Sequence, residues 1–195
     1  MYRLDGAALD RLFRDARSHN GWLDRPVPRH LIEEAVDLAK LGPTAVNASP
    51  LRLILVETEA GRARLKPALS PGNVDKTMAA PLTAIVAHDP AFFDHLPRLF
   101  PHADVRGMFA GNPQLAEGTA SYNATLQAGY FIMALRAVGL DAGPMGGFDK
   151  AKVDAEFFTD TSFRSSLLIN IGYGDHTKLF PRSPRLAFDE IAQFA

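Results

Sequence analysis

The chain contains no cysteine, and this absence excludes several kinds of chemistry at once. A protein without thiols forms no disulfide, no thiolate nucleophile, no iron–sulfur cluster and no thiolate zinc site. Any redox activity of this protein must therefore depend on a bound cofactor.

An excess of one charge is also absent. The 21 Lys and Arg residues are balanced by 22 Asp and Glu residues, which leaves a formal net charge of −1. Because no basic stripe is present to neutralise phosphates, nucleic acid is not expected as a partner.

Long apolar runs are missing as well. No segment approaches the roughly 20 consecutive apolar residues that cross a bilayer, and residues 1–5 lack the apolar core of a signal peptide. We therefore expect a soluble, cytoplasmic protein that does not associate with membranes.

Several well-known motifs do not occur. The sequence has no Gly-x-x-x-x-Gly-Lys loop, no Gly-x-Gly-x-x-Gly turn and no Gly-x-Ser-x-Gly elbow. His95, His102 and Asp104 lie near one another, but surface or capping roles explain them better than a metal site does. The sequence therefore predicts neither a Rossmann-type nucleotide site nor a metal site, and it disfavours hydrolysis.

The length and composition of the chain suit one domain that spans residues 1–195. With 47% hydrophobic residues, the chain can form a substantial core. Apolar periodicity predicts helices over 7–18, 28–40, 59–68, 113–138 and 150–158, and strands over 51–57, 82–87 and 166–173. Residues 90–112 are predicted to form short helical turns, and residues 139–144 to break the long helix. The expected class is therefore mixed α and β.

The long helix over 113–138 carries information about assembly. Its second half, residues 124–135, is apolar nearly all round, so it must be buried on several sides. We expect a homodimer with this helix near the interface, and a central core helix in a monomer is the alternative.

Four short patches carry more local chemistry than a core needs. Residues 16–22 offer a guanidinium, a hydroxyl and an amide, and residues 43–50 form a loop of small residues with polar side chains after a helix ends. Asn73 and Lys76 lie one helical turn apart, and the glycines of 143–148 allow a ligand to approach backbone N–H groups. Each patch taken singly also fits a purely structural role.

Taken in order, these patches resemble the flavin-dependent nitroreductase family. The resemblance covers nearly the whole chain and rests on Arg17-Ser18, Gly42-Pro43-Thr44-Ala45-x-Asn47, Asn73-x-x-Lys76, Gly143-Pro144-Met145-Gly146-Gly147-Phe148 and Pro184-Arg185. It implies an α+β, nitroreductase-like fold with a mostly antiparallel sheet flanked by helices, and an interlocked homodimer. It also implies FMN at the subunit interface and NADH or NADPH as hydride donor.

The resemblance assigns roles to particular residues. Arg17 and Arg185, and less strongly Arg182, would hold the FMN phosphate, while Ser18 and Asn20 would meet the ribityl chain and the pyrimidine edge. Asn73 and Lys76 would lie at the N1–C2=O side of the ring. Pro43, Thr44, Ala45 and Asn47 would come from the other subunit, and Pro144, Met145, Gly146 and Gly147 would cover one ring face.

Further segments are similar to a branch of the family that reduces malonic semialdehyde to 3-hydroxypropionate in pyrimidine catabolism. They are His19-Asn20-Gly21-Trp22, Pro67-Ala68-Leu69-Ser70, Leu99-Phe100-Pro101-His102 and residues 168–175. Such a substrate needs a cation for its carboxylate, and Arg106 is the candidate. A broad nitro or quinone reductase is the alternative. A flavin-binding dimer without turnover also stays open, because Asn20 and Gly146 stand where many relatives have a cation and a Glu.

Overall fold

The computed structural model describes residues 3–195, and its centre is an antiparallel sheet of four strands. The strands are β1 (Leu51–Val56), β2 (Leu82–His88), β3 (Asp141–Met145) and β4 (Arg164–Gly172), in the spatial order β1-β2-β4-β3. All three strand pairs are antiparallel. Since β2 is covered on both faces, all of its positions are buried, which explains its continuous apolar sequence.

Helices surround this sheet. They are α1 (Gly6–Leu9), which continues as a π-helical turn over Asp10–Arg14, α2 (Arg29–Ala39), α3 (Glu59–Leu65), α4 (Val74–Met78), α5 (Leu96–Leu99), α6 (Arg106–Ala110), α7 (Pro113–Ala137), α8 (Lys150–Phe157) and α9 (Phe188–Ile191). None of the helices in the described range 3–195 combines the length and the hydropathy that a membrane span requires.

The core has two main layers, one on each face of the sheet. On one face α2 and α7 pack against the sheet through Ile32, Phe131 and Leu135. On the other face Leu65 and Val153 meet the side chains of β2 and β4. This layered arrangement confirms the predicted α+β class with an antiparallel sheet.

β3 differs from the structure predicted for this part of the sequence. Residues 139–144 were predicted only to break the long helix, and the helix does end there, with Gly139 at φ 90°. The chain then enters a strand that contains both Gly143 and Pro144. Because β3 is an edge strand paired with β4 alone, the missing N–H of Pro144 is tolerated there.

Two predicted helices are shorter than expected. The helical segment predicted over 7–18 ends at Arg14, because Ser18 already forms a bridge to Ala142 of β3. The helix predicted over 59–68 ends at Leu65 and continues as a 3-10 turn over Lys66–Ala68. The predicted short turns over 90–112 and the long helix are confirmed.

Among the large apolar side chains that are exposed in the described chain, those of α7 and of the C-terminal segment lie on surfaces that a second copy could cover. Tyr122 of α7 is 69% exposed and Leu126 of the same helix is 36% exposed. In the C-terminal segment large apolar side chains are also exposed, namely Phe180, Leu186, Phe188, Ile191 and Phe194. One face of α7 and the tail therefore present apolar surface that this chain alone does not cover.

Candidate flavin site

The segment that carries Arg17, Ser18 and Asn20 runs along the edge of β3. The amide of His19 donates a hydrogen bond of 3.1 Å to the carbonyl of Ala142. Gly143 allows this close approach, because a Cβ at Gly143 would lie well under 3.0 Å from the carbonyl oxygen of His19. The small residue on β3 is therefore a requirement of the contact.

Side-chain hydrogen bonds join three of the four predicted patches. Lys76 Nζ donates to Asn20 Oδ1 at 3.3 Å, and Asn73 Nδ2 donates to the carbonyl of Gly147 at 2.7 Å. The amide of Ser70 donates to the same Gly147 carbonyl at 3.1 Å. We call the group Ser18, Asn20, Asn73, Lys76 and Gly147 the β3 site.

Pro144, Met145 and Gly146 complete the backbone beside the β3 site. The Met145 side chain is buried in the core, and Thr77 Oγ1 donates to its sulfur at 3.6 Å. Gly146 is exposed, and a Cβ added there would meet no atom within 4 Å. At this end of β3 the chain therefore presents its backbone to open space, away from the core.

Two residues to which the sequence assigned no role in the site, Trp22 and Asn170, hold the β3 site from behind. Trp22 Nε1 donates to the carbonyl of Lys76 at 3.1 Å, and Asn170 Nδ2 donates to the same carbonyl at 3.3 Å. The fully buried Asn170 also accepts a hydrogen bond of 2.9 Å from Thr83 Oγ1. An amide within the apolar run of β4 is the signal that could have identified this support.

The three predicted phosphate ligands behave differently. Arg17 Nη2 donates to the carbonyl of Phe180 at 2.6 Å, and Arg182 Nη2 donates to the carbonyls of Arg14 and Ala16 at 2.5 and 2.8 Å. These contacts bring Arg17 and Arg182 to one junction between the N-terminal segment and the tail. Arg185 donates only to carbonyls of the two residues before it, so the described contacts do not bring it to this junction.

The remaining patch, Pro43, Thr44, Ala45 and Asn47, is held elsewhere. Asn123 Oδ1 accepts from the amide of Ala45 at 2.7 Å, and Tyr130 donates its hydroxyl to the carbonyl of Pro43 at 3.1 Å. Thr44 Oγ1 accepts from the amide of Ser49 at 3.2 Å. Two residues of α7 thus fix the backbone of this loop.

The same loop stores backbone strain. Val46, Asn47 and Ser49 have φ values of 47°, 52° and 43°, and they are the non-glycine residues with positive φ in the described part of the chain. A left-handed conformation is costly for a β-branched residue such as Val46. Strain of this kind persists where surrounding contacts enforce it, and it is concentrated at ligand sites.

The loop and the β3 site lie at opposite edges of the sheet. The loop leads into β1, whereas the β3 site surrounds β3, and these two strands are the edge strands. Three interstrand spacings of about 4.8 Å separate such edges by about 14 Å. Hydrogen bonds among residues 3–195 therefore join three predicted patches to one another and leave the fourth apart.

Arg106 lies in the region of short helices and is already paired. Its Nη2 donates to Asp94 Oδ1 at 2.5 Å, and its guanidinium lies 5.7 Å from the centre of the Phe93 ring. Arg106 also lines a cavity of about 330 Å³ between α5 and α6. Asn47 Nδ2 donates to the carbonyl of Leu99 at 2.8 Å, which connects this region to the loop at 43–47 rather than to the β3 site.

The chain is similar to known proteins over most of its length. The sequence model of the nitroreductase family matches residues 14–173, and the chain therefore belongs to the nitroreductase family. A Burkholderia lata protein named as an NADH dehydrogenase/NAD(P)H nitroreductase is 59% identical over 193 residues, 99% of each chain. A Stenotrophomonas maltophilia protein of the same name is 54% identical over 194 residues, 100% of this chain and 99% of that protein.

Solved structures share the same fold. A Bacillus subtilis nitroreductase superposes with a TM-score of 0.85 at 21% identity, covering 98% of this chain and 100% of that one. An Exiguobacterium sibiricum nitroreductase, solved in complex with FMN, superposes with a TM-score of 0.84 at 20% identity over 100% of both chains. The predicted nitroreductase-like fold is thereby confirmed.

Proposed function

We propose that this protein is an FMN-dependent oxidoreductase that uses NADH or NADPH as hydride donor. The observation that carries the proposal is the β3 site, where Asn20, Lys76, Asn73 and Gly147 meet from distant parts of the sequence. Membership of the nitroreductase family and the NAD(P)H-related names of the relatives support the same conclusion.

The residues of the site fit such a cofactor. Arg17 uses one of its guanidinium donors on the Phe180 carbonyl, and the planar fork retains further donors for a phosphate. The half-buried Lys76 makes one long bond to Asn20, which leaves ammonium donors for an anionic ring edge. The open space beside Gly146 lets a flat ring approach the backbone.

The chemistry that bound FMN supplies is hydride transfer from NAD(P)H to an acceptor. In this proposal Ser18 and Asn20 orient the ribityl chain and the pyrimidine edge, and Asn73 holds the Gly147 carbonyl so that Gly146 and Gly147 keep their backbone in place. Arg182 keeps the tail close to Arg17. Arg185 becomes a phosphate ligand only if the exposed tail moves toward that junction.

We further propose that the active form is a homodimer in which each flavin site contains residues of both copies. The loop at 43–47 lies at the sheet edge away from the β3 site, so one chain does not bring both to a single flavin. The exposed apolar face of α7 and the exposed apolar tail supply surface for a second copy.

Complementation tests this arrangement directly. Lys76→Met disables the β3 site, and Asn47→Ala disables the loop, so each homodimer is expected to bind FMN weakly. Co-refolded together, the two variants form heterodimers with one intact site, and random pairing restores roughly a quarter of the sites. The shared site would be contradicted by a mixture that binds no more FMN than either variant alone. A monomeric unmodified protein in light scattering would contradict it as well.

For the acceptor we propose malonic semialdehyde, which is reduced to 3-hydroxypropionate. The motif resemblance to the semialdehyde-reducing branch supports this choice, together with Arg106, whose cavity adjoins α5 and α6. A guanidinium that leaves Asp94 for the substrate carboxylate would exchange one charge-assisted pair for another.

A broad nitro or quinone reductase is the second candidate. The names of the relatives at 59% and 54% identity favour it, because both mention NAD(P)H nitroreductase. A semialdehyde reductase should have a higher kcat/KM for malonic semialdehyde than for a nitroaromatic or a quinone. A broad nitro or quinone reductase should show the reverse order.

An anaerobic visible spectrum is the experiment that tests the function. Flavin bands that bleach with NADPH or NADH and return with malonic semialdehyde would support both cofactor and acceptor. Bands that return only with the nitroaromatic or quinone would reject the aldehyde. Bands that never bleach would favour a flavin-binding dimer without turnover, and no bands after added FMN would reject the flavoprotein.

Arg106→Ala tests the substrate contact. Loss of one charge-assisted hydrogen bond of about 1.5–3 kcal/mol is expected to raise the KM for malonic semialdehyde about 10- to 100-fold without lowering FMN content. Asp94→Asn is the matched control, because it breaks the same ion pair but keeps the cation. Unchanged kinetics in Arg106→Ala would remove this residue from the substrate site.

A further inference from the structure

Two histidines and an aspartate from three separate segments meet beside the N-terminal end of β3. They are His19, Asp141 at the start of β3, and His176 in the 3-10 turn over His176–Lys178 after β4. One ligand atom from each lies within 4.8 Å of the other two, and within residues 3–195 this is the group of three such side chains that meets the distance criterion for a metal ion. We call this group the His-Asp-His cluster.

His19 is the buried member of the cluster. It is 2% exposed, its Nδ1 is buried with no hydrogen-bond partner among the described residues, and its Nε2 approaches Asp141 Oδ1 only to 3.8 Å. Nε2, the ring nitrogen on the side of Asp141, is therefore the ligand atom of His19, whereas Nδ1 lies against Gly174. A Cβ on Gly174 would lie well under 3.0 Å from the ring of His19, so the imidazole is held in a fitted slot.

The other two members keep ligand atoms free. Asp141 Oδ2 accepts a hydrogen bond of 2.9 Å from the amide of Gly174, which orients the carboxylate and leaves Oδ1 on the side of His19. The exposed imidazole of His176 meets the His19 ring edge to face, with 5.2 Å between ring centres. The cap of the His176 turn comes from Asp175, so the His176 side chain has no structural task in the turn.

We propose that the His-Asp-His cluster binds a transition-metal dication of the Zn²⁺ class. Two imidazoles and one carboxylate without thiolate suit Zn²⁺, Co²⁺ or Ni²⁺, whereas Mg²⁺ and Ca²⁺ prefer oxygen ligands. Metal–ligand bonds of about 2 Å bring ligand atoms to about 3.4 Å from one another. The cluster must therefore contract by about 1 Å, and the exposed turn of His176 is the part that is free to move.

Charges around the cluster set its strength. Arg11 Nη1 lies 3.9 Å from Asp141 Oδ1, and it opposes a dication. Arg11 is held on its own side by donating to the carbonyls of Arg136 and Leu140, so it need not be displaced. Burial lowers the pKa of His19, which keeps the imidazole neutral and ready to bind a metal without losing a proton. We expect a Kd for the metal ion in the micromolar range rather than in the nanomolar range.

A metal at this place would bear on the rest of the molecule. It would cross-link the segment that carries Arg17, Ser18 and Asn20 to both β3 and the turn after β4. This role is independent of the reaction proposed above. It also departs from the sequence-based expectation that the protein has no metal site.

Titration of the untagged, FMN-loaded protein with ZnCl₂ after dialysis against a chelator tests the proposal. One Zn²⁺ per chain is expected, and Co²⁺ in its place should give visible d–d bands. His176→Ala changes an exposed side chain, and Asp141→Asn keeps the shape of its residue, so both should fold and bind Zn²⁺ at least tenfold more weakly. His102→Ala is the matched control, since it removes another exposed histidine outside the cluster.

The outcomes separate clearly. Stoichiometric binding that both cluster variants weaken and His102→Ala does not would support the site. Absence of stoichiometric binding, or equal binding by His176→Ala and the unmodified protein, would overturn it. Since the readout is metal binding rather than turnover, a failure here leaves the proposed FMN-dependent activity untouched.

Discussion

Gly143→Ala is the substitution that tests the contact between the segment at 17–20 and β3. The new methyl group would lie well under 3.0 Å from the carbonyl oxygen of His19, a separation that real Cβ atoms essentially never show. The obstacle is backbone on both sides, so no flexible side chain can move away. The segment must shift by roughly 1 Å or more to reach ordinary van der Waals contact.

The cost of this shift has two parts. Overpacking in a fitted contact costs about 1–3 kcal/mol. Weakening of the hydrogen bond from the His19 amide to the Ala142 carbonyl costs about 0.5–1.5 kcal/mol. The free energy of unfolding should fall by about 2–4 kcal/mol, which for a chain of this size lowers Tm by roughly 4–16 °C.

The assay uses the protein's own fluorophore. Trp22 is the single tryptophan of the chain, is 7% exposed, and its ring would lie 3.3 Å from the new methyl group. Urea unfolding followed by its fluorescence gives the stability at fixed protein concentration. In the same variant FMN affinity should fall about tenfold, because the loss of one charge-assisted hydrogen bond is worth at least 1.4 kcal/mol.

A matched glycine provides the control. Gly6→Ala adds the same methyl group in open space, with no atom within 4 Å, and should leave both stability and FMN affinity nearly unchanged. If Gly143→Ala is as stable as Gly6→Ala, the close backbone contact is not a real constraint. If it is destabilised but binds FMN normally, the segment at 17–20 does not hold the flavin.

Two further predictions concern pH and the strained loop. Burial lowers the pKa of His19 below 6.5, so below that pH the unfolded chain binds more protons than the folded chain. The free energy of unfolding should therefore fall on acidification. His19→Gln should flatten this part of the stability–pH curve when both proteins are measured with a chelator present. Asn123→Ala removes the acceptor that holds the Ala45 amide, so the free energy of unfolding should fall by about 1–3 kcal/mol. Tyr130→Phe loses only the hydroxyl that donates to Pro43, so it should lower the free energy of unfolding by less. Equal losses in Asn123→Ala and Tyr130→Phe would contradict a special role for the Asn123 amide.

Local sequence patterns determined much of the fold. The continuous apolar runs of β2 and β4 predicted buried strands, and the apolar half of α7 predicted a long helix with buried sides. The small-residue loop at 43–50 also followed from the end of α2. These features depend on side-chain periodicity and on helix stop signals, which neighbouring residues carry by themselves.

Tertiary structure alone decided β3 and the assembly of the site. Asp-Ala-Gly-Pro-Met has little strand propensity, and it becomes a strand because β4 offers a ladder of hydrogen bonds at the sheet edge. Lys76 and Asn20 are 56 residues apart, and Asn73 and Gly147 are 74 apart. The sequence by itself predicts which residues are candidates for the site, because residue type and order are local properties. Which of them meet was decided by packing, since long-range contacts form only when the sheet and its covering helices bring distant segments together.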